Sequence, residues 1–326
     1  NAEEKEEFVA LLLSRLDAFG IKQSQVKMSK VRPMSAHLKP GARPFQMAAI
    51  PMSPVKKEAL RKKLQDLLKM GMIVKDHNPY FSCRAFLVKK PSGAWRMVVD
   101  MRPLNKVVEP LTSNLPPLEM QLSWLPSKPK YFSMLDALSG FDMLQVSPES
   151  VRYFGISTVF GCFLMKGAPM GYINTPTVYQ ERFIEEILGG IDKAGVFGTP
   201  GAGVLQWLDD SLVYAEDWSS FKKTLSYVLD NCIKKNLRLN IAKCHLISTE
   251  ATWCGRDISK EGWKFKEKYF LPILQMPTPT TLGQAEDILY TATWLGASIP
   301  DLSRYKSLFS DLVNLMKKDK NQGSTK

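Results

Sequence analysis

Apolar side chains recur at helical spacing in several parts of the chain. One such stripe consists of Leu60, Leu64, Leu67 and Leu68. Ser53-Pro54 precedes the stripe as an N-cap and a proline at the first helical position, and Gly71 follows it as a typical helix stop. The pattern therefore predicts a helix between these two signals.

Further helices are predicted by the same criteria. Thr175-Pro176 opens one, a second extends from about Ser219 to Lys235, and a helical tail from Leu282 to Lys317 follows a proline-rich link. Short apolar runs of strand-like composition separate these helices. Because helices and strands alternate without an internal repeat, the sequence predicts a mixed α+β fold.

A basic hairpin is predicted around Pro91-Ser92-Gly93, because a short apolar run lies on each side of these turn residues. Lys89 and Lys90 flank one side of the turn and Arg96 the other, so their charges are able to meet on one anionic group. A solvated hairpin tip explains the same charges. The pattern alone leaves both interpretations open.

Three aspartates end or interrupt apolar runs. Asp209 and Asp210 stand together between two strand-like halves, and Asp136 ends the run 131–135. Buried neighbouring carboxylates repel each other, and Mg²⁺ relieves that repulsion because it prefers a few carboxylates with phosphate oxygens and water. Two metals held in this way suit in-line attack on a phosphate. Aspartates also favour turns, so on spacing alone a plain turn explains the pair at least as well.

Composition narrows the class of protein. The net charge of +12 is compatible with a polyanionic partner but does not identify one, while 44% hydrophobic and 23% charged residues exclude collagen-like and disordered chains. No apolar run approaches the roughly 18 residues of a membrane span, and the acidic start of the chain is unlike a signal peptide. Five scattered cysteines and three histidines argue against structural zinc and favour an intracellular protein with reduced thiols.

Six longer stretches, in order along the chain, resemble one family. They are F-L-V-K-K-P-S-G-A-W-R-M-V-V-D-M-R-P-L-N-K (86–106), Y-F-S-M-L-D-A-L-S-G-F (131–141), P-M-G-Y-I-N-T-P-T-V-Y-Q (169–180), V-L-Q-W-L-D-D-S-L-V-Y-A (204–215), L-N-I-A-K-C-H (239–245) and W-C-G-R-D-I-S-K-E-G (253–262). Their order and spacing are similar to those of the reverse transcriptase domain of LTR retrotransposon Pol polyproteins, most closely the gypsy-like group.

The resemblance implies a right-hand polymerase with fingers, palm and thumb. It implies four ranges: 1–40 as an N-terminal helix and proline-rich arm, 41–130 as mainly fingers, 131–265 as mainly palm, and 266–326 as a thumb-like helical segment with a frayed tail. By position, Asp136, Asp209 and Asp210 match the palm carboxylates that hold the catalytic metals, Mg²⁺ or alternatively Mn²⁺.

Residues of the nucleotide site follow from the same resemblance. Arg96 and one of Lys89 and Lys90 match the finger residues that grip the triphosphate. Phe141 falls where the family places a bulky ring against the sugar, and such a ring leaves no room for a 2′-hydroxyl. Met170-Gly171 matches the segment that lines the nucleotide pocket. Core packing alone explains Phe141 about as well.

The primer contacts implied by the resemblance include departures from the family pattern. Trp253-Cys254-Gly255 matches the hairpin that grips the primer end. Trp207 stands two residues before the aspartate pair, where the family usually has tyrosine, so the contact with the primer is altered. The loop 189–203 is longer than the family norm. These features are typical of a divergent copy.

The implied activity is that of an RNA-directed DNA polymerase that also copies DNA. Its implied partners are an RNA or DNA template with its primer, deoxynucleoside triphosphates, and ribonuclease H and integrase domains encoded elsewhere in the polyprotein; no membrane is involved. The implied location is intracellular, in the cytoplasm or a virus-like particle. A co-opted, non-catalytic descendant that binds nucleic acid or protein is the alternative. An RNA-dependent RNA polymerase shares the aspartate pair, but Phe141 argues against it.

Overall fold

The computed structural model describes residues 2–21, 27–89, 91, 93–112, 116–189, 201–296 and 299–323. Lys90 and most of the long loop 189–203 lie outside these described residues. The chain divides into two compact units, Asn1–Ser248 and Thr249–Lys326. No helix in the described ranges is long and apolar enough to cross a bilayer.

The first unit contains seven α-helices and twelve strands within the described residues. The helices are α1 (Ala2–Leu13), α2 (Pro54–Lys69), α3 (Arg102–Val107), α4 (Leu118–Leu122), α5 (Gly140–Met143), α6 (Thr175–Glu186) and α7 (Trp218–Lys234). The strands are β1 (Phe19–Gly20), β2 (Phe45–Gln46), β3 (Ile73–Lys75), β4 (Phe81–Lys89), β5 (Trp95–Val99), β6 (Tyr131–Asp136), β7 (Gly155–Thr158), β8 (Gly161–Met165), β9 (Ala202–Trp207), β10 (Asp210–Ala215), β11 (Leu239–Asn240) and β12 (His245–Ser248).

A four-stranded antiparallel sheet, in the order β12-β6-β10-β9, forms the centre of this unit. Residues 211–215 of β10 are all buried, because neighbouring elements cover both faces of the strand. Helix α7 packs on β9 and β10 through a stripe of buried side chains at helical spacing: Phe221, Leu225, Val228, Leu229 and Cys232. This packing holds the four-stranded sheet in place. The predicted aspartates lie at one end of its strands.

A six-stranded sheet lies in the same unit. Its order is β2-β4-β7-β8-β3, with β5 paired to β4. The β4–β5 hairpin confirms the one predicted around residues 91–93. Strand β4 pairs with β7 in parallel, so the sheet combines segments on both sides of residue 131. Sequence periodicity cannot supply such long-range pairing.

The predicted helix after Ser53 is confirmed as α2. Pro54 occupies its first turn, and the helix ends before Gly71, which has the positive φ of 68° that glycine tolerates. Leu60, Leu64 and Leu67 are buried. Three of the four leucines of the predicted stripe therefore pack into the core, whereas Leu68 is 41% exposed.

The second unit contains a three-stranded antiparallel sheet and three helices in its described residues. The strands are β13 (Ala251–Trp253), β14 (Arg256–Ser259) and β15 (Gly262–Phe265), and the helices are α8 (Leu271–Leu274), α9 (Leu282–Trp294) and α10 (Leu302–Gly323). Arg256 is fully buried here, with its guanidinium 4.4 Å from the ring centre of Phe265 and 5.9 Å from that of Trp294. The guanidinium is thus part of the core that joins β14 to α9.

Candidate active site

Pairing of β6 with β10 brings two of the predicted aspartates directly opposite each other. In this antiparallel pair, Asp210 is the partner of Asp136. Asp209 lies in the two-residue turn between β9 and β10, and its carbonyl oxygen accepts a hydrogen bond from the N–H of Ala137 at 3.1 Å. The three aspartates therefore gather at one end of the four-stranded sheet, although 73 residues of sequence separate Asp136 from Asp209.

Burial and neighbouring carboxylates raise the pKa of Asp209 and of Asp210. Burial, followed by the charges of Asp136 and Asp210, raises the pKa of Asp209 to about 6. Burial and then Asp136 also raise the pKa of Asp210. Oδ1 of Asp209 is buried without a hydrogen-bond partner among the described residues. A bound cation stabilises the ionised form of such a cluster, because it offsets both the desolvation of the carboxylates and their mutual repulsion.

Lys243 supplies the nearest counter-charge. Its Nζ lies 3.1 Å from Oδ1 and 3.0 Å from Oδ2 of Asp136, and its positive charge opposes the rise in the pKa of Asp209 and of Asp210. The sequence block 239–245 contains this lysine, but its spacing gave no sign of the contact. Only the pairing of β12 with β6 brings it there.

The donor set fits a hard divalent cation. In the described parts of the chain, no three acidic, histidine or cysteine side chains enclose an ion by themselves. An open group of carboxylates suits Mg²⁺, which keeps several waters and takes further oxygens from phosphates. Oδ1 of Asp209 has no hydrogen-bond partner among the described residues, so binding of a cation there would break no existing hydrogen bond.

Gly140 lies against this group, and sequence reasoning missed it. A Cβ at this position would stand 2.5 Å from Oδ1 of Asp209 and 2.7 Å from the hydroxyl oxygen of Tyr179. Because glycine has no side chain, this position leaves space beside the carboxylate of Asp209. The neighbouring Phe141 is half-buried and packs edge-on against Tyr179, with ring centres 5.4 Å apart.

A cavity of about 320 Å³ collects some of the predicted nucleotide-site residues. Arg96 and Met170 line it together with Ser139 and Asp142. The three catalytic candidates do not line it, but the charge of Asp142 contributes to the raised pKa of Asp209, so the two features are neighbours. Asp142 was also missed from the sequence, since a single acid in a short helix gives no distinctive pattern.

Among the described residues, Lys89, Phe141 and Gly171 do not line the cavity. Lys89 is exposed at the end of β4, opposite Trp95, and Lys90 lies outside the described residues. Gly171 adopts a φ of 91°, and its carbonyl oxygen accepts a hydrogen bond from Asn105 at 2.9 Å. The structure thus brings Arg96 and Met170 to one cavity but does not bring Lys89 into its lining.

The predicted primer contacts lie in both units. Trp207 ends β9 as the partner of Asp210 and is 36% exposed. In the second unit, Cys254 and Gly255 form the β13–β14 turn with φ values of 46° and 79°. Trp253 is only 2% exposed. Its side chain is therefore buried, whereas Cys254 and Gly255 are half-buried.

Comparison with known proteins identifies relatives over most of the chain. Residues 88–264, more than half of the chain, match the family described as reverse transcriptase (RNA-dependent DNA polymerase). The retrovirus-related Pol polyprotein from transposon opus of Drosophila melanogaster is 29% identical over 260 residues, which cover 78% of this chain and 25% of that polyprotein. The Gag-Pol polyprotein of gibbon ape leukemia virus is 28% identical over 301 residues, 89% of this chain and 17% of that protein.

Solved structures show the same fold. The foamy viral protease-reverse transcriptase dRH in complex with double-stranded DNA has a TM-score of 0.80 at 22% identity, covering 97% of this chain and 53% of that one. A foamy viral protease-reverse transcriptase in complex with an RNA/DNA hybrid has a TM-score of 0.73 at 21% identity, covering 96% of this chain and 44% of that one. The fold is thus the α+β fold of a right-hand polymerase. With the match over residues 88–264, the chain belongs to the reverse transcriptase (RNA-dependent DNA polymerase) family, and it spans about a quarter of the opus polyprotein.

Proposed function

We propose that this chain is an active RNA-directed DNA polymerase that adds deoxynucleotides to a primer 3′ end and also copies DNA. The observation that carries the proposal is the register of β6 and β10, which sets Asp136 opposite Asp210 with Asp209 in the adjoining turn. A fold that merely bound nucleic acid would gain nothing from three mutually repelling carboxylates at one site.

In this proposal Asp136, Asp209 and Asp210 hold Mg²⁺, or alternatively Mn²⁺. When bound, the metal ions activate the primer 3′-hydroxyl and stabilise the charge that develops on the leaving pyrophosphate. Ionised Asp209 offers the unpaired Oδ1 as a ligand. Lys243, with its Nζ 3.0 Å from Oδ2 of Asp136, balances part of the negative charge of the three carboxylates.

The nucleotide is proposed to bind beside these carboxylates. Arg96, with Lys89 or Lys90, contacts the triphosphate, because guanidinium and ammonium groups pair well with phosphate oxygens. Met170-Gly171 lines the base pocket, and Phe141 closes the space that a 2′-hydroxyl requires. The proposed selectivity for deoxynucleotides therefore depends on the ring of Phe141.

The larger assignments are also proposals. We assign 41–130 mainly to fingers, 131–265 mainly to palm and 266–326 to thumb, with Trp207 and the turn 253–255 near the primer end. The implied partners are a template with its primer, deoxynucleoside triphosphates, and ribonuclease H and integrase domains elsewhere in a Pol polyprotein. The boundary between the two compact units, after Ser248, lies inside the range that we assign to the palm.

Primer extension tests the proposal. The parent protein is expected to extend oligo(dT) on poly(rA) with Mg²⁺ or Mn²⁺, and the double variant Asp209→Asn/Asp210→Asn is expected to make no product. Asp66→Asn, an equivalent change on the exposed side of α2, is the matched control and should remain active. If parent and double variant bind the duplex but neither extends it, the chain is a co-opted binding protein and the proposal is wrong.

A further inference from the structure

Three buried glutamines surround the turn that joins β9 to β10. Gln121 lies on α4, Gln180 on α6 and Gln206 on β9, and none of the three residues is more than 1% exposed. Buried amides are retained where their donors and acceptors find partners, because an unpaired buried polar group is unfavourable. The partners of these three amides are therefore informative.

Gln180 bonds to the backbone on both sides of Trp207. Its Nε2 donates to the carbonyl oxygen of Gln206 at 3.2 Å, and its Oε1 accepts from the N–H of Leu208 at 3.1 Å. Helix α6 is anchored in the core through buried neighbours such as Tyr179. One side chain on a packed helix thus fixes the two peptide groups that lead into Asp209.

The other two glutamines complete the network. Oε1 of Gln121 accepts from the N–H of Gln206 at 2.9 Å. The amide of Gln206 donates to the carbonyl oxygen of Leu208 and accepts from the hydroxyl of Ser211. Hydrogen bonds therefore reach the last residues of β9, the turn itself and the start of β10.

The turn needs such support because Leu208 is in an unfavourable conformation. Its φ of 51° lies in the left-handed region, which residues other than glycine and asparagine rarely adopt. A residue in that region persists where its surroundings fix it. The strained residue directly precedes Asp209, so the network supports the turn that carries the aspartate pair.

We propose that Gln180 is a positioning residue, which holds the Leu208–Asp209 turn so that the carboxylates of Asp209 and Asp210 keep the geometry required for phosphoryl transfer. The proposal rests on the polymerase function proposed above. A glutamine that only filled space in the core would not use both ends of its amide on the peptide groups on either side of Trp207, at the start of the turn. Gln180 acts through the turn and touches neither substrate nor metal.

The variant Gln180→Met tests this role, since methionine keeps the length and removes both hydrogen bonds. The matched control is Gln145→Met, because the amide of Gln145 is partly buried and donates to the carbonyl oxygen of Ser29 at 2.7 Å, away from the turn. We expect kcat for primer extension to fall at least about tenfold in Gln180→Met. The KM for the nucleotide should change by less than about threefold, because the lost contact acts on the chemical step.

Amide hydrogen exchange supplies a readout that does not require activity. Loss of the Gln180 amide should accelerate exchange in the peptide 204–215, which contains the N–H of Leu208, and leave the peptides of β4 and β5 unchanged. Gln145→Met should leave exchange in 204–215 at the parental rate. Equal exchange in parent and Gln180→Met, or an unchanged kcat, would overturn the proposal.

The remaining outcomes are also decisive. If the parent itself extends no primer, the polymerase proposal fails and this one fails with it; an active parent with a fully active Gln180→Met refutes only the role of Gln180. Thermal unfolding identifies variants that do not fold, and Gln180→Leu then replaces Gln180→Met. If both unfold while Gln145→Met remains folded, the amide is required for folding and the positioning role is wrong.

Discussion

At Asp209 the fold holds a carboxylate whose ionisation is opposed by burial and by three neighbouring carboxylates, those of Asp136, Asp210 and Asp142. Its pKa rises from 3.8 to about 6, while Lys243 acts in the opposite direction. The folded state therefore binds more protons than the unfolded state between these two values. Stability conferred by the protonated form is present at low pH and is lost as the pH rises towards and through about 6.

This linkage predicts that Asp209→Asn stabilises the metal-free protein at neutral pH. The amide of the variant cannot ionise. At about pH 7.5 in the presence of a chelator, the free energy of unfolding of Asp209→Asn should therefore exceed that of the parent by about 1–3 kcal/mol, a range that allows for partial solvent screening. Near pH 4 the difference should almost vanish. Urea unfolding at both pH values measures it, with Asp66→Asn as control; a variant less stable than the parent at neutral pH would contradict the assignment.

Phe141 allows a test of sugar selection. Its ring packs edge-on against Tyr179, and the next residue, Asp142, lines the candidate nucleotide cavity. Truncation to alanine removes the ring that we propose excludes a 2′-hydroxyl. In Phe141→Ala the preference for a deoxynucleotide over its ribonucleotide, measured as the ratio of kcat/KM values, should fall at least about tenfold. Phe160→Ala, at the β7–β8 turn, is the matched control. An unchanged ratio in Phe141→Ala would mean that the ring is only part of the core.

Residue by residue, the sequence predicted the acidic members of the site more readily than their supports. Asp136, Asp209 and Asp210 were recognisable because acids in apolar strands are unusual and because the surrounding blocks resemble a family. Lys243 and Gln180 were not recognisable, since each reaches the site through a contact that depends on how distant elements pack. A lysine in a loop and a glutamine in a helix are ordinary in any sequence.

At the scale of elements, Arg256 links β14 to α9 in the second unit. Its guanidinium lies over the rings of Trp263, Phe265 and Trp294, and its Nη1 donates to the carbonyl oxygen of Cys254 at 3.0 Å. Stacking on aromatic faces requires the planar guanidinium, which an ammonium group does not reproduce. The side chain therefore supports both the aromatic core and the Cys254-Gly255 turn.

Arg256→Lys should accordingly destabilise the second unit although the charge is kept. We expect a loss of about 1–3 kcal/mol in the free energy of unfolding, together with faster amide exchange across β13 and β14. Arg304→Lys, an exposed position on α10, makes the same chemical change without a buried contact and should have no effect. Parental stability in Arg256→Lys would show that the aromatic stacking contributes little.

Elements with strong local signals were predicted well. The helix predicted from Ser219 to Lys235 is α7, Trp218–Lys234, and the strand that reaches Asp136 is β6. Between His245 and Phe265 the chain forms four short strands, β12 to β15. Turns at Gly255 and Gly262, both with positive φ, divide that region. Alternation of apolar residues indicates extended chain, but it does not determine where the chain reverses or which strand it joins.

For the whole molecule, the sequence predicted the α+β class but not the composition of its sheets. The six-stranded sheet joins β2, β3, β4 and β5 to β7 and β8, and the central sheet takes β6 from between those segments. These pairings connect residues far apart along the chain, so local periodicity carries no information about them. The resemblance to a polymerase supplied what the periodicity could not.

The net charge of +12 leads to the last prediction, which concerns binding of the template-primer duplex. Lysine and arginine that contact phosphates release counterions, so the logarithm of the binding constant should fall linearly with the logarithm of salt concentration. For roughly 6–10 phosphate contacts, affinity should drop by about 10³–10⁵ between about 50 and 200 mM salt. Fluorescence anisotropy with a labelled RNA/DNA hybrid measures the slope.

The same titration separates binding from chemistry. Asp209→Asn/Asp210→Asn should keep the parental slope, because carboxylates release no phosphate counterions, and should bind the duplex at least as tightly once two negative charges are removed. A flat salt dependence in the parent would mean that its positive charge does not face the duplex. A slope that changes with the aspartates would instead place these carboxylates among the determinants of backbone binding, in conflict with a role confined to the metal ions.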